Sequence, residues 1–205
     1  MLKDLTVTEF METLASDSPV PGGGSVAALC AATACDLVAM VASLTIGKKG
    51  YEEAWEEMTV LKEEMVEAGE KLLDSMDEDA DSYARVVGCF KLPKETEEEK
   101  AARAAAIQEA TREAALVPLG VAEAAAELFG PAAAVIARGN KNAASDGAVA
   151  AMMARTAVLS ALYNVRINAV SLKDAALREE LLEKADRLEK RAREQEGAIL
   201  EQLRF

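Results

Sequence analysis

Proton chemistry in this 205-residue chain has to be done without histidine, because none is present. That removes histidine triads, histidine-ligated metals and imidazole shuttles. Asp, Glu, Lys, Tyr and Cys remain. Between Tyr51 and Asp81 stand thirteen acidic residues against Lys62 and Lys71, a local balance of −11, and most of them read as a solvated helix face. Asp79 differs: it adjoins the apolar stripe of its segment, with Tyr83 one turn further on the same side. A carboxylate held against apolar surface has a raised pKa and is a candidate acid–base. Asn164 and Asn168 are spaced i, i+4 in an otherwise apolar helix. Buried amides need partners, so they serve either interhelical hydrogen bonds or the polar wall of a pocket.

Three further polar constellations interrupt the helical pattern. Ser18-Pro19-Val20-Pro21-Gly22-Gly23-Gly24-Ser25 precedes the apolar run Val26–Leu44, with Lys48 and Lys49 beyond its far end. Glycines admit positive φ and close approach to the backbone, and a helix start suits anions. Lys91-Leu92-Pro93-Lys94 comes after the acidic segment, and Asn140-Lys141-Asn142-Ala143-Ala144-Ser145-Asp146-Gly147 forms a polar loop. Taken singly, each reads more simply as a tight helix entry, a solvated connector and a set of caps. No Gly-Lys-Ser/Thr completes a phosphate loop around the glycines, and no strand precedes them as a dinucleotide fingerprint requires.

The elements that position these residues are helices. Thr6-Val7-Thr8-Glu9 predicts a capping box opening a short helix to Ala15. Ser25 is the expected cap of the apolar helix, which ends near Gly47. Met58, Leu61, Met65, Ala68, Leu72, Met76, Ala80, Tyr83 and Val87 recur every three or four residues, predicting one long amphipathic helix from Tyr51 to Phe90. Thr96-Glu97-Glu98-Glu99 predicts a second capping box, and Pro118 a kink or restart. Pro131 suits a helix N1 position, and Gly139 a left-handed C′. An apolar helix is expected from Asp146 to Val170, and a last one from Ser171-Leu172-Lys173-Asp174 almost to Phe205. The fold class is all-α: a single-domain bundle of about seven to eight helices over residues 1–205. Its alanine-rich, weakly charged faces point to a helical dimer.

A net charge of −13 argues against nucleic acid as a partner. Three cysteines in apolar stretches and an N-terminus without an apolar leader fit reduced thiols and a cytoplasmic setting. The run Val26–Leu44 approaches membrane-spanning length, but Asp36 and its many alanines make it a buried core helix, with no membrane partner expected.

Taken together, these segments resemble the formiminotransferase-cyclodeaminase C-terminal domain family. The match rests on Pro19 to Leu29, Leu44-Thr45-Ile46-Gly47-Lys48-Lys49, Asp77-Glu78-Asp79 with Tyr83, and Lys91 to Lys94. It continues through Arg103 with Ala106-Ile107-Gln108, Val117-Pro118-Leu119, Gly139 to Asn142 with Ser145-Asp146, and Asn164-Val165-Arg166-Ile167-Asn168. These occur in the family's order along nearly the whole chain. Asp36 departs from it, standing where a small or apolar residue is usual.

The resemblance implies a homodimer that binds a tetrahydrofolate derivative as substrate, with no metal and no covalently bound cofactor. It implies either cyclisation of 5-formiminotetrahydrofolate to 5,10-methenyltetrahydrofolate with loss of ammonia, or hydrolysis of the methenyl compound to 10-formyltetrahydrofolate. A non-catalytic folate-binding or scaffold protein is the third reading. Under the resemblance, Asp79 or Asp146 would move the proton. Pro21, Gly22, Gly23, Gly24 and Ser25 would approach a carboxylate or the pterin edge, beside Tyr83. Lys48, Lys49, Lys91 and Lys94 would take the glutamyl or polyglutamyl tail, and Asn140, Asn142 and Asn164 the pterin amides.

Overall fold

The structure is a computed structural model describing residues 1–203, and among these no strand occurs. The α-helices are α1 (Val7–Leu14), α2 (Gly23–Ser43), α3 (Trp55–Cys89), α4 (Glu97–Ala126), α5 (Phe129–Arg138), α6 (Ala144–Ala169) and α7 (Ala175–Leu200). The six from α2 onward build the bundle, and the eight-residue α1 lies at its edge. That is fewer than the seven to eight expected, because α1 stays outside the bundle and Pro118 restarts nothing: α4 continues through it.

Both predicted capping boxes form, at Thr6/Glu9 and Thr96/Glu99. Three other local expectations fail. Pro131 is the third residue of α5, since that helix begins at Phe129. Gly139 has φ −78°, not a left-handed value; glycine is needed there because a Cβ would collide with the Val135 carbonyl. Ser25 does not cap α2: the helix starts two residues earlier behind Gly22, and Ser25 is fully buried in its first turn.

α2 is the central helix, packed against α3 on one side and an antiparallel α6 on the other. α4 lies on α3 and α6, and α7 closes the outer side of α6. The core is mostly alanine, with Ala27, Ala28, Ala31, Ala34 and Ala42 of α2 sealed against Ala150, Ala154, Ala157 and Ala161 of α6. Small side chains let helix backbones approach closely. Gly69 of α3 shows how closely: a Cβ there would sit 3.5 Å from the Cys35 Cβ. The few large groups act as plugs; fully burying Met58, Phe129 or Leu162 contributes about 1.5–3 kcal/mol each. The acidic stripe of α3 faces solvent, as its periodicity requires, with Met58, Met65, Leu72 and Met76 buried on the other side. By length and composition α2 is one of three helices able to cross a membrane, yet most of its apolar window is buried within the bundle.

Candidate active site

The glycine loop and α3 meet at the N-terminus of α2. None of the three loop glycines has positive φ; only Gly47 (75°) and Gly50 (91°), at the other end of the helix, do. What Gly24 provides is absence: a Cβ there would fall inside the Asp79 carboxylate. A Cβ at Gly23 would stand 3.3 Å from the Asn164 side-chain nitrogen. The loop's Val20–Pro21 peptide is cis and Pro21 is buried. The free N–H end of α2, read from the sequence as a place for a ligand anion, is therefore occupied by the chain's own Asp79.

Ser25 ties this carboxylate down. Its hydroxyl lies 2.9 Å from the Met76 carbonyl and 3.2 Å from Asp79 Oδ2. One hydroxyl proton serves one acceptor at a time, so when it goes to Met76, Asp79 must itself carry a proton to bond the Ser25 hydroxyl. Burial pushes the Asp79 carboxyl above its ordinary value, while hydrogen bonds from the Ser25 side chain and backbone pull the other way and lose.

Asp79 opens into a cavity of about 310 Å³ shared by α2, α3, α4 and α6. Gly22, Gly23, Gly24, Tyr83, Asn164 and Asn168 line it, with apolar wall from Val20, Val86 and Ile167. Asn164 Nδ2 donates 2.9 Å to the Ser160 carbonyl of its own helix, and Asn168 Nδ2 donates 2.7 Å to the Ala114 carbonyl of α4. Neither amide oxygen accepts a hydrogen bond from another described residue, so both keep acceptor capacity beside the cavity. Polar atoms at several points around an apolar wall suit a flat heterocycle with amide-like edges.

The predicted site residues divide into three groups. Asp79, Tyr83, Asn164 and the three glycines are together in the cavity, with Ser25 and Pro21 directly behind. Lys91 and Lys94 are exposed in the turn after α3, about 12 Å or more beyond Tyr83 at 1.5 Å per helical residue. Arg103 braces that turn by donating to the Phe90 carbonyl at 3.2 Å. Lys48, Lys49, Asn140, Asn142 and Asp146 lie at the opposite end of α2, which its 21 residues place about 30 Å away.

At that far end Asn140 is a staple. Its N–H donates to Thr45 Oγ1 (2.8 Å), its Nδ2 to the Leu44 carbonyl (3.2 Å), and its Oδ1 accepts from Lys48 Nζ (2.8 Å) and the Asn142 N–H (3.1 Å). Asn140 thus spends most of its side-chain bonding capacity on the turn, keeping one Nδ2 N–H. Asp146 is half-buried in the first turn of α6 and shares no pocket with Asp79. Asn168 lines the cavity beside Asn164 and belongs with the site residues; its i, i+4 spacing is the signal the sequence offers for it. Val86, Ala114 and Ile167 offer none, being apolar residues in apolar helices. No three Cys, Asp or Glu side chains among the described residues converge as a metal site would require.

Fold and cavity define an all-helical, alanine-packed bundle with an acid-centred polar pocket at the start of its central helix. The chain belongs to the formiminotransferase-cyclodeaminase family, whose model matches residues 6–187. It is 40% identical to a methenyltetrahydrofolate cyclohydrolase of Methylorubrum extorquens over 89% of this chain and 88% of that protein. It is 35% identical to the formimidoyltransferase-cyclodeaminase of Rattus norvegicus, spanning 97% of this chain but only 37% of that longer protein. The crystal structure of a formiminotetrahydrofolate cyclodeaminase from Thermotoga maritima superposes with a TM-score of 0.86 at 32% identity, covering 98% of this chain and 96% of that one.

Proposed function

We propose that this chain is a folate one-carbon enzyme acting at the carbon between N5 and N10, with Asp79 as its proton-transfer group. The observation that carries the reading is a carboxyl group whose pKa is raised by burial, at the head of a polar-edged cavity. Names of relatives over nearly the whole chain supply the substrate class. In the cyclising direction N10 attacks the formimino carbon, and the tetrahedral intermediate loses ammonia. Asp79 takes the proton from N10 and delivers one to the departing nitrogen. A carboxyl poised above its ordinary range does both better than a fully ionised one. Asn164 and Asn168 present their amide oxygens to pterin N–H groups, and Lys91 and Lys94 lie on the side where the glutamyl tail would leave the cavity. The functional unit is a homodimer, supported by the exposed apolar side chains Met40 of α2 and Met152, Tyr163, Ile167 and Val170 of α6.

A second reading has its own support: the relative that matches along nearly its full length at 40% identity is named for hydrolysis of the methenyl compound. There the conjugate base of Asp79 takes a proton from the attacking water and the ring opens to 10-formyltetrahydrofolate. Methenyl absorbance separates the two. Its appearance from 5-formiminotetrahydrofolate with release of ammonia supports the first, and its loss above the buffer rate supports the second. Folate binding without either would overturn both.

A further inference from the structure

A proline inside a helix has no N–H to give the carbonyl four residues back, and its ring pushes that carbonyl off the helix axis. α4 runs unbroken through such a residue. Pro118 is fully buried and stands about two turns before the helix end. The carbonyl it deprives is that of Ala114, a buried residue. A buried carbonyl without a partner is costly, so folded chains supply one. Here the partner comes from another helix: Asn168 Nδ2 of α6 donates to the Ala114 carbonyl at 2.7 Å. Of all the interior carbonyls of α4, the one the proline strips is the one that takes this amide. Ala114 and Asn168 both line the cavity, whereas Pro118 does not.

This bond fixes the sign of the cavity wall. The two ends of an asparagine amide are similar in shape, so a free one presents either its donor or its acceptor. With Nδ2 committed to Ala114, Asn168 keeps its oxygen as an acceptor. Turning the amide over would set that oxygen against the Ala114 carbonyl, two acceptors with no proton between them. Asn164 is committed in the same sense through the Ser160 carbonyl of its own helix, which needs no proline. The two amides, one turn apart, therefore offer acceptors side by side.

The approach of α4 to α6 does not depend on the proline. In α4, Gln108 donates to the Ser171 carbonyl at 3.2 Å and accepts from the Lys173 N–H at 2.7 Å, in the turn after α6. That second tie lies six residues before Ala114, about 9 Å along the axis. It holds the end of α6 on α4 whatever stands at position 118.

We propose that Pro118 is a positioning residue of the site: by denying the Ala114 carbonyl a backbone partner it orients Asn168 as an acceptor, so that the cavity selects a ligand edge bearing N–H donors. It acts through Ala114 and Asn168. An N–H at position 118 would draw the carbonyl back to the helix axis and release Asn168 to turn either way. Reading the ligand edge as a pterin rests on the proposed function; the link from proline to carbonyl to amide does not.

Two measurements test this separately. The first needs no activity. Pro118→Ala and Asn168→Ala are made singly and together and unfolded in urea. With the proline in place, Asn168→Ala strands the Ala114 carbonyl and the midpoint falls. In the Pro118→Ala background the restored N–H serves that carbonyl, so the same substitution moves the midpoint far less. Equal shifts in the two backgrounds overturn the link. The chain has only four asparagines, so isotope labelling of asparagine alone resolves the Asn168 amide by NMR. One of its protons should be protected from exchange in the wild type and lose that protection in Pro118→Ala. No protection in the wild type, or protection in both, overturns the link.

The second measurement reads the site. Pro118→Ala and Pro118→Val both restore the N–H but differ in volume. Both should raise KM about tenfold, the effect of one well-placed hydrogen bond, and leave kcat nearly unchanged, because Asn168 binds the ligand alike in ground and transition states. A KM raised by alanine and restored by valine would make Pro118 a filler of space and overturn its role. So would failure of both variants to fold, or an unchanged KM. A wild type that turns over neither folate while the urea coupling holds overturns the proposed function and leaves the link standing.

Discussion

The two ends of α2 look alike in the sequence: a glycine-bearing turn, polar side chains and a nearby carboxylate or amide. In the structure they are opposites. At the far end Asn140 makes five hydrogen bonds, using its backbone N–H and carbonyl, its side-chain N–H and its side-chain oxygen, and fastens the turn before α6 to the end of α2. At the near end Asp79 is pressed against the α2 N-terminus with only the Ser25 hydroxyl and backbone to offset its burial, and Asn164 and Asn168 each keep an amide oxygen that accepts no hydrogen bond from a described residue. A saturated polar group holds structure together, whereas one left short of partners keeps capacity for a ligand.

The largest expected effect is on Asp79. Asp79→Asn should lower kcat about 10²- to 10⁴-fold, the span of general acid–base catalysis, in whichever methenyl assay the wild type is active. Stability should move the other way. A carboxyl whose folded pKa is raised contributes stability that is complete below its unfolded value and is lost as pH rises through the folded one. Above its folded pKa the ionised, partly buried Asp79 is thus a liability that asparagine removes. Thermal melts should show Asp79→Asn at least as stable as wild type at pH 7, with the wild type gaining on it as pH falls towards the ordinary Asp range. An asparagine variant that is inactive because it is unfolded would break the contrast between the two ends.

Gly24→Ala probes the same end sterically. Its Cβ needs the space of the Asp79 carboxylate, so Asp79 must leave the Ser25 hydroxyl or α2 must shift. Overpacking of this kind costs about 1–3 kcal/mol, and kcat should fall with stability. Gly22→Ala is the milder comparison: its Cβ meets nothing nearer than the Pro19 carbonyl at 3.6 Å, so Asp79 keeps its place and kcat should fall far less than in Gly24→Ala. Equal damage from both would mean that the loop acts through flexibility and not through close approach.

The far end gives the mirror-image result. Asn140→Ala keeps the backbone bond to Thr45 but leaves the Leu44 carbonyl and the Asn142 N–H short of a partner, at about 1–3 kcal/mol for buried groups. Urea titration should show that loss while kcat per folded molecule is retained. A fall in kcat comparable to that of Asp79→Asn would erase the distinction.

How much of this is legible in the sequence depends on how local each feature is. Capping boxes and the 3.6-residue stripe of α3 depend on neighbours in sequence, so Thr6, Thr96 and the Met58–Met76 row can be read directly. Asp79 is legible because it adjoins that stripe. Pro118 misleads because propensity argues for a break, whereas tertiary burial of Pro118, Leu119 and Ala122 in α4 holds the helix through it. Within one chain the structure does not bring Asp146 and Asn140 to Asp79, for another reason. Their shared polarity says nothing of the length of α2, which holds them about 30 Å apart. That separation appears only when the helix is laid out as a rod.

The smallest expected effect concerns Lys91 and Lys94. They are exposed, so each contributes screened attraction worth at most about 1 kcal/mol. Lys91→Ala and Lys94→Ala should therefore raise KM only a few-fold and leave kcat unchanged. The effect should fade with added salt, because exposed charges are screened over about 8 Å at physiological ionic strength. It should also grow with each glutamate added to the substrate tail, since every carboxylate beyond the first reaches further from the cavity. A salt-insensitive rise in KM, the same for one glutamate as for several, would place the tail elsewhere. The near end of α2 would then hold the pterin without guiding the glutamyl tail.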